Sequence, residues 1–426
     1  MADPTTQQTA QPSTLWAKLG PGVLFAGAAI GTSHLVQSTR AGALYGLGFL
    51  GIILFANFIR YPSFRFGPAY AAATGESLID AYARHGKWVI PVVSVAGLLI
   101  HAIIIAATAI TSAGIAVSLL GLNVDARYFG VGLLALGALV VRLGGYRVLD
   151  NVTKVFVATL TLCTLAATVL VVPEVKWEFT VEPFYTLSLT GDLSVFLFAV
   201  AVMGFMPAGI DLAILHSLWA TEKSRLDNTV PQDSLTDFNI SYVGTIVLAV
   251  CFLIMGAGIM HSGAVQPATS APAFADQVVG LYTQTLGAWS GLVVGTCALA
   301  VMFTTLLALV DGAPRMQAAC AAVWFQSDST QALSQHTQTI ATVVICSASA
   351  VILIFAMSSF TVFIDFVTTT TFVVGPAIAW LNHQAMTNTT VPAHLRPSQG
   401  MQAWSWLGII AMTIITLIFF YTRLTA

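Results

Sequence analysis

The sequence predicts an all-α integral membrane protein, and three observations point to that fold class. Of the 426 residues, 57% are hydrophobic and 8% are charged, whereas a soluble domain carries about 25% charged residues. The mean hydropathy is +0.85. The apolar residues form continuous runs of about 17–25 residues, as bilayer-spanning helices require, and not the alternating segments of about ten residues that build outer-membrane barrels.

The composition also excludes several classes of protein. So few charged residues exclude an ordinary water-soluble enzyme, and the apolar content excludes a disordered chain. The formal net charge of −2 provides no basic field for nucleic acid. The chain has no His-Glu-x-x-His, P-loop or Gly-x-Ser-x-Gly motif, so we expect neither enzymatic activity nor a resident cofactor. Residues 46–51 match a dinucleotide-binding pattern but join two apolar runs, which predicts a turn.

Eleven apolar runs are long enough to span the bilayer. They are Pro21–Tyr45, Leu47–Ala73, Trp88–Leu120, Arg127–Leu143, Val152–Val172, Leu193–Ala220, Phe238–Met260, Trp289–Val310, Ile340–Met357, Phe360–Leu381 and Trp404–Tyr421. We therefore expect a multi-pass protein of the plasma membrane, with the lipid bilayer as its surroundings. The sequence indicates nothing about the oligomeric state.

Lys and Arg predict the orientation, because cytoplasmic loops are enriched in them. With a cytoplasmic N-terminus, twelve of the sixteen basic residues, Arg60 among them, are assigned to that side. The exceptions are Arg40, Arg127, Lys176 and Arg423. The polar first 19 residues lack the basic start and short apolar core of a signal peptide and are predicted to be a cytoplasmic tail. The C-terminus is then extracytoplasmic.

Two spans contain small and polar residues at mid-depth, Ala29–His34 in the first and Gly204–Gly209 in the sixth. Unwound helix persists inside a membrane only where it is buried or lines a cavity. Corresponding interruptions in two five-helix halves indicate a transporter built from an inverted repeat, with its substrate site near the midplane. The alternative for either segment is a simple Gly/Pro kink in a packed bundle.

This pattern predicts the domain organisation. Residues 1–19 form the tail, 20–173 the first five-helix repeat and 174–192 an extracytoplasmic loop. Residues 193–384 form the second repeat, and 385–426 a cytoplasmic loop and the eleventh helix.

The first span resembles a known family. Residues 20–30, continuing through Leu35 to Gly42, resemble helix 1 of the natural resistance-associated macrophage protein (NRAMP) family and its divergent relatives. Further stretches resemble the relatives: Tyr61-Pro62 with Phe66–Gly75, Met206-Pro207 with His216–Trp219, and Phe303–Thr305 with Asp311–Arg315. The resemblance implies a LeuT-like fold with broken helices 1 and 6, and secondary transport of divalent metal, usually with protons.

The chain departs from the family at the metal-binding motifs. The family's Asp-Pro-Gly-Asn of helix 1 falls on Gly31–His34, so the anionic ligand is missing and His34 replaces the Asn. The family's Met-Pro-His of helix 6 falls on Met206–Ala208, so the thioether is retained and the His is lost. The later histidine of that helix corresponds to His216. The resemblance therefore implies the fold more firmly than the usual manganese or iron specificity.

The two breaks provide a candidate substrate site. Its residues are Ala29, Gly31, Thr32, Ser33, His34, Phe205, Met206, Pro207, Ala208 and Asp211, with Met206, Asp211 and His34 as candidate metal ligands. An ionisable residue within a span costs at least about 2.5–3.5 kcal/mol and is functional by default, which singles out Asp211. The alternative is that Asp211 caps the second half-helix. A single carboxylate favours a partly hydrated, magnesium- or manganese-like ion.

Other polar residues are candidates for proton relay or gating. An unperturbed histidine changes its charge near neutral pH, which makes His34, His101 and His216 candidates. Ser94, His101 and Thr108 recur at seven-residue steps along one face, where hydrogen bonds between helices are the alternative to a proton relay. Asp311 and Arg315 are spaced for an ion pair that closes the cytoplasmic side. Asp365 lies near the outer end of the tenth span, where we expect it to be solvated.

Three functions remain open at this point. The first is a divalent-cation transporter that works by alternating access, driven by protons or by the membrane potential. The second keeps the fold but binds the carboxylate of a small organic solute at the half-helix N-termini. The third is a membrane sensor or channel.

Overall fold

The computed structural model describes residues 21–143, 146–177, 192–227, 231–325 and 331–425, and within these ranges every regular element is helical. The α-helices are α1 Pro21–Ala29, α2 Thr39–Tyr45, α3 Leu50–Thr74, α4 Leu78–His85, α5 Val89–Leu119, α6 Ala126–Arg142, α7 Tyr146–Val171, α8 Leu193–Gly204, α9 Leu212–Asp227, α10 Pro231–Met255, α11 Ala271–Leu286, α12 Trp289–Phe325, α13 Gln331–Val351, α14 Phe360–Thr387 and α15 Gln399–Thr425. The predicted tail and residues 178–191 of the predicted loop lie outside the described ranges.

Eight stretches of the described chain are long and apolar enough to cross a membrane. They are Ser33–Thr74, Val89–Leu119, Val155–Glu174, Ser234–His261, Trp289–Phe325, Gln335–Ala356, Phe360–Thr387 and Gln399–Thr425. The helices α1 and α8, which precede the breaks of the first and sixth spans, are shorter, and α6 has 17 residues. These three helices are therefore not counted among the eight. The protein is thus a multi-pass membrane protein, while the count of eleven spans and the inverted repeat stay predictions.

Both predicted helix breaks are confirmed. In the first span, α1 ends at Ala29, and a π-helical turn over Ser33–Ser38 leads into α2. In the sixth span, α8 ends at Gly204 and α9 begins at Leu212. Pro207, which has no N–H to donate to a preceding turn, lies in the intervening non-helical stretch.

The broken spans lie at the centre of the bundle. α1 packs against α10 and α12, α8 against α14, and α9 against α3 and α12, while α5 runs along α12. Glycines permit two of these contacts: a Cβ on Gly67 of α3 would lie 2.3 Å from the Ala213 carbonyl oxygen, and one on Gly204 would lie 1.8 Å from that of Thr368. Small residues allow membrane helices this close an approach.

The sequence did not predict the helices in the connections. α4 and α11 are shorter and more polar than a span, so the search for long apolar runs passes over them. The N-terminus of α4 carries a capping box formed by Ser77 and Asp80. α12 continues beyond the predicted end at Val310, because the polar residues that end the apolar run still suit a helix. Gly46–Phe49 forms the predicted turn, a single 3₁₀ turn.

Candidate functional site

A cavity of about 30 Å³ lies where the two breaks meet. Its polar side chains are Thr32, Ser33, Thr108, Asp211 and Thr305, from the first span, α5, the sixth span and α12. A buried water needs roughly 10–15 Å³ measured in this way, so the cavity has room for about two waters or a small ion. Of the other predicted site residues, Ala29, Phe205 and Ala208 also line it.

Asp211 is the acid of this cavity. Its side chain is 7% exposed, and its Oδ1 atom has no hydrogen-bond partner among the described residues. The residue immediately precedes α9, where the positive end of the helix dipole favours a carboxylate. A buried carboxylate oxygen without a partner is costly in a stable core and is suited to receiving a cation.

The second oxygen of Asp211 contacts His101 of α5. Oδ2 lies 3.2 Å from Nε2 of His101. The Nδ1 atom lies 2.7 Å from the carbonyl oxygen of Gly97, which can only accept, so Nδ1 carries a proton and donates it. If Nε2 and Oδ2 both lacked a proton, two lone pairs would face each other. A proton on the imidazole or on the carboxyl group would remove this repulsion, although Nε2 has no hydrogen bond of good geometry among the described residues.

Three hydroxyl groups of the cavity offer lone pairs and no proton. Ser33 Oγ donates to the carbonyl oxygen of Ala29, Thr108 Oγ1 to that of Ile104, and Thr305 Oγ1 to a carbonyl oxygen at 2.6 Å. A hydroxyl has a single proton, so once it is donated the oxygen can only accept or ligate. The polar lining is thus arranged for a cation or for hydrogen-bond donors.

His34 is buried but does not line the cavity. Its Nε2 atom lies 2.9 Å from the carbonyl oxygen of Thr245, and its Nδ1 atom lies 2.6 Å from Ser33 Oγ and 2.9 Å from the carbonyl oxygen of Ala29. The imidazole therefore ties the first break to α10. The carbonyl oxygen of Ala29 is therefore engaged by the side chains of Ser33 and His34.

Met206, Pro207 and Gly31 lie at the breaks without lining the cavity. The sulfur of Met206 lies 3.9 Å from Ser38 Oγ, and its carbonyl oxygen accepts a hydrogen bond from Arg60. In this conformation the thioether is therefore directed to the π-helical turn of the first span.

The other predicted relay and gate residues are dispersed. His216 of α9 stacks on Phe25 at a centroid distance of 5.5 Å, and neither ring nitrogen has a hydrogen-bond partner among the described residues. Asp311 and Arg315 form the predicted ion pair, with 2.8 Å between Nε and Oδ2. The structure brings His101 to Asp211 but not His34 or His216.

Asp365 differs from the sequence expectation of a solvated acid. Both of its oxygens accept hydrogen bonds from Arg40, at 2.6 and 2.9 Å. The side chain of Gln37 donates a hydrogen bond to Asp365 and accepts one from Arg40. Arg40 follows the first break, and Asp365 belongs to α14. The pair therefore joins the second half of the first span to the tenth span. This pair could not be predicted from the sequence, because the two residues are 325 positions apart.

Arg60 was counted among the basic residues of the cytoplasmic connections, but it is not a loop residue. It lies within α3 with no exposed surface, and its Nη1 atom donates to the carbonyl oxygens of Met203 and Met206. The sequence contained a signal for this position, because Arg60 falls inside the predicted span Leu47–Ala73. A charge within a span marks a candidate functional residue.

The chain was compared with protein families and known proteins. A family model described as natural resistance-associated macrophage protein-like matches residues 22–422. An uncharacterized protein of Pasteurella multocida (strain Pm70) is 32% identical over 303 residues, which cover 70% of this chain and 69% of that protein.

Solved structures share the fold. The crystal structure of a mutant of the Eremococcus coleocola manganese transporter matches with a TM-score of 0.70 at 15% identity, covering 97% of this chain and 89% of that one. The crystal structure of MhsT in complex with L-phenylalanine matches with a TM-score of 0.63 at 14% identity, covering 94% of this chain and 97% of that one. At these identities the likeness extends to the fold alone.

Proposed function

Since the chain belongs to the natural resistance-associated macrophage protein-like (NRAMP) family over nearly its whole length, we propose that it is a secondary transporter of a divalent metal cation. The observation that supports this most is Asp211, a buried carboxylate at the break of the sixth span with one oxygen unpaired beside the cavity. The Eremococcus coleocola neighbour is a manganese transporter, which agrees with the proposal.

The lining favours a cation over an organic carboxylate. Ser33, Thr108 and Thr305 have donated their protons to backbone carbonyls, so their oxygens repel a carboxylate and attract a cation. The volume of about 30 Å³ also suits an ion with one or two waters better than an organic solute. A small organic solute remains the second candidate, because the MhsT neighbour holds L-phenylalanine in the same fold.

The donor atoms favour a hard ion. The cavity offers a carboxylate and hydroxyl oxygens, while the sulfur of Met206 and the imidazole of His34 are engaged elsewhere. Oxygen ligands suit magnesium and manganese, and magnesium keeps several waters when it binds. We therefore propose a magnesium- or manganese-like ion that enters the site partly hydrated.

The His101–Asp211 pair supports proton coupling. A metal ion binds a deprotonated carboxylate, so its arrival at Asp211 displaces the proton that we propose the pair holds. The imidazole could then pass that proton on during the same cycle. Coupling in this form requires no acid in the first span, where the family motif falls on Gly31.

Alternating access would break two contacts at the ends of the first span. At one end, Arg40 is bound to Asp365 of α14. At the other end, the backbone N–H of Gly22 donates to Asp237 of α10 at 2.8 Å, near the start of α1. Both contacts tie the broken first span to unbroken helices, so each would separate when its side opens. We propose movement of the first and sixth spans against the remaining helices.

The test is transport in liposomes that contain a metal-sensitive dye, with an internal pH dye in parallel. Purified protein should admit Mg²⁺ or Mn²⁺, and Asp211→Asn should abolish entry. Asp125→Asn is the matched control, because Asp125 is an exposed acid that caps α6. Failure to admit Mg²⁺, Mn²⁺, Fe²⁺ or Zn²⁺, by a protein that an organic solute stabilises against heat, would establish the second candidate instead.

A further inference from the structure

Arg60 is a buried cation beside the break of the sixth span. It belongs to α3 and has no exposed surface. Its Nη1 atom donates to the carbonyl oxygens of Met203 and Met206, both at 2.8 Å, and its guanidinium lies 5.2 Å from the ring centre of Phe64. The side chain therefore holds the end of α8 and the start of the break together.

No carboxylate among the described residues lies within ion-pair distance of Arg60. Its Nε and Nη2 atoms have no hydrogen-bond partner there either. A guanidinium keeps its proton even in proteins, so the charge stays. Asp211 lies on the other side of the break, and it lines the same cavity as Phe205, the neighbour of the Met206 carbonyl that Arg60 binds.

The position of Arg60 gives its charge two effects. The C-terminal end of a helix carries partial negative charge, and the guanidinium opposes that charge at the end of α8 by binding the carbonyl oxygen of Met203. Its bond to the carbonyl oxygen of Met206 places a fixed positive charge beside an oxygen that faces the break. This charge is opposite in sign to that of Asp211 across the break, so it weakens the field of the carboxylate at the cavity.

We propose that Arg60 is a specificity-determining residue whose fixed charge lowers the affinity of the cavity for a divalent cation. The inference rests on the proposed function. An ion bound by the carboxylate of a buried site would otherwise be released more slowly, and a nearby positive charge raises its dissociation constant without occupying the cavity. The charge repels a divalent ion twice as strongly as a monovalent ion. It therefore also reduces the preference of the site for divalent over monovalent cations.

The experiment is the equilibrium binding of Mn²⁺ to the purified full-length protein, measured by calorimetry. Arg60→Gln and Arg60→Met remove the charge, and Arg60→Lys keeps it. Both neutral variants should lower the Mn²⁺ dissociation constant by about tenfold or more, and Arg60→Lys should leave it near the wild-type value. Arg65→Gln, on the same helix and partly exposed, is the matched control and should bind like the wild type.

A second variant tests the charge without disturbing the hydrogen bonds of Arg60. Asn57 lies one turn earlier on α3, is 1% exposed and has an unpartnered Oδ1 atom. Residues three apart on a helix are neighbours, so Asn57→Asp places a carboxylate beside the guanidinium. This variant should also tighten Mn²⁺ binding, which keeps the inference testable if the neutral Arg60 variants do not fold.

The outcomes separate this inference from the proposed function. If the wild type neither binds nor admits Mn²⁺ but Arg60→Gln or Asn57→Asp binds it, the inference holds and the proposed function fails. If the wild type admits Mn²⁺ and the folded neutral variants bind it no more tightly, the inference is overturned and the proposed function stands. Tighter binding by Arg60→Lys, equal to that of Arg60→Gln, would also overturn it, because the charge would then not be the cause.

Discussion

The Nε2 atom of His101 lies 3.2 Å from the Oδ2 atom of Asp211, and this contact joins the third span to the break of the sixth. The imidazole is fixed from its other side by the carbonyl oxygen of Gly97. The imidazole therefore has a defined position, and the second carboxylate oxygen has no partner among the described residues. The proposal that one carboxylate binds both metal and proton rests on these two side chains.

Metal binding should release a proton. When the ion takes the carboxylate, the proton shared with His101 is displaced, so the apparent dissociation constant should rise as the pH falls, by up to about tenfold per pH unit. Calorimetry of Mn²⁺ binding in buffers of different ionisation enthalpy measures the number of protons released. A heat that is independent of the buffer would contradict the shared proton.

His101→Gln should separate proton coupling from metal entry. A glutamine amide can still donate to Asp211 but does not titrate, so Mn²⁺ entry should persist while the accompanying pH change inside the liposomes is lost. The two-dye liposome assay measures both. Equal loss of metal entry and pH change would show instead that His101 is needed for binding itself.

Asp365→Asn should destabilise the protein, because it leaves the Arg40 charge buried without its partner. Breaking a buried ion pair costs roughly 3–5 kcal/mol, and since Asp365 is one-third exposed we expect on the order of 1–3 kcal/mol. Thermal unfolding in detergent measures the change. Asp125→Asn, which breaks a more exposed pair, is the control and should leave the midpoint nearly unchanged.

Gly204→Ala should prevent α8 from packing against α14. The added Cβ would lie 1.8 Å from the carbonyl oxygen of Thr368, and a backbone atom cannot rotate away. We expect loss of the monodisperse protein peak in size-exclusion chromatography. Gly244→Ala, where no atom lies within 4 Å of the added Cβ, is the control and should behave like the wild type.

The sequence predicted the features that depend on local composition. Apolar runs set the spans, and the small and polar residues around Gly31 and Pro207 marked both breaks, because Gly and Pro act on the backbone where they stand. The shorter amphipathic helices were missed, since a search for long apolar runs excludes them. Within the site, Asp211 stood out as an acid inside a span.

The sequence could not predict contacts between distant residues. His101 and Asp211 lie on different helices, and only their packing brings them together. Asp365 looked solvated because its partner, Arg40, is 325 positions away along the chain. Arg60 was misplaced because orientation arguments count every basic residue as a loop residue, whereas this one is fully buried. In each case the missing information was which helix faces packed together.

The proposed function depends most on Asp211 as the carboxylate that receives the cation. An experimental structure of the protein in Mn²⁺, with the anomalous signal of the metal recorded, tests this directly. We expect a peak in the cavity, with the metal about 2.0–2.6 Å from a carboxylate oxygen of Asp211, and its loss in Asp211→Asn. A cavity without a peak at saturating Mn²⁺, or a peak that persists in Asp211→Asn, would contradict it.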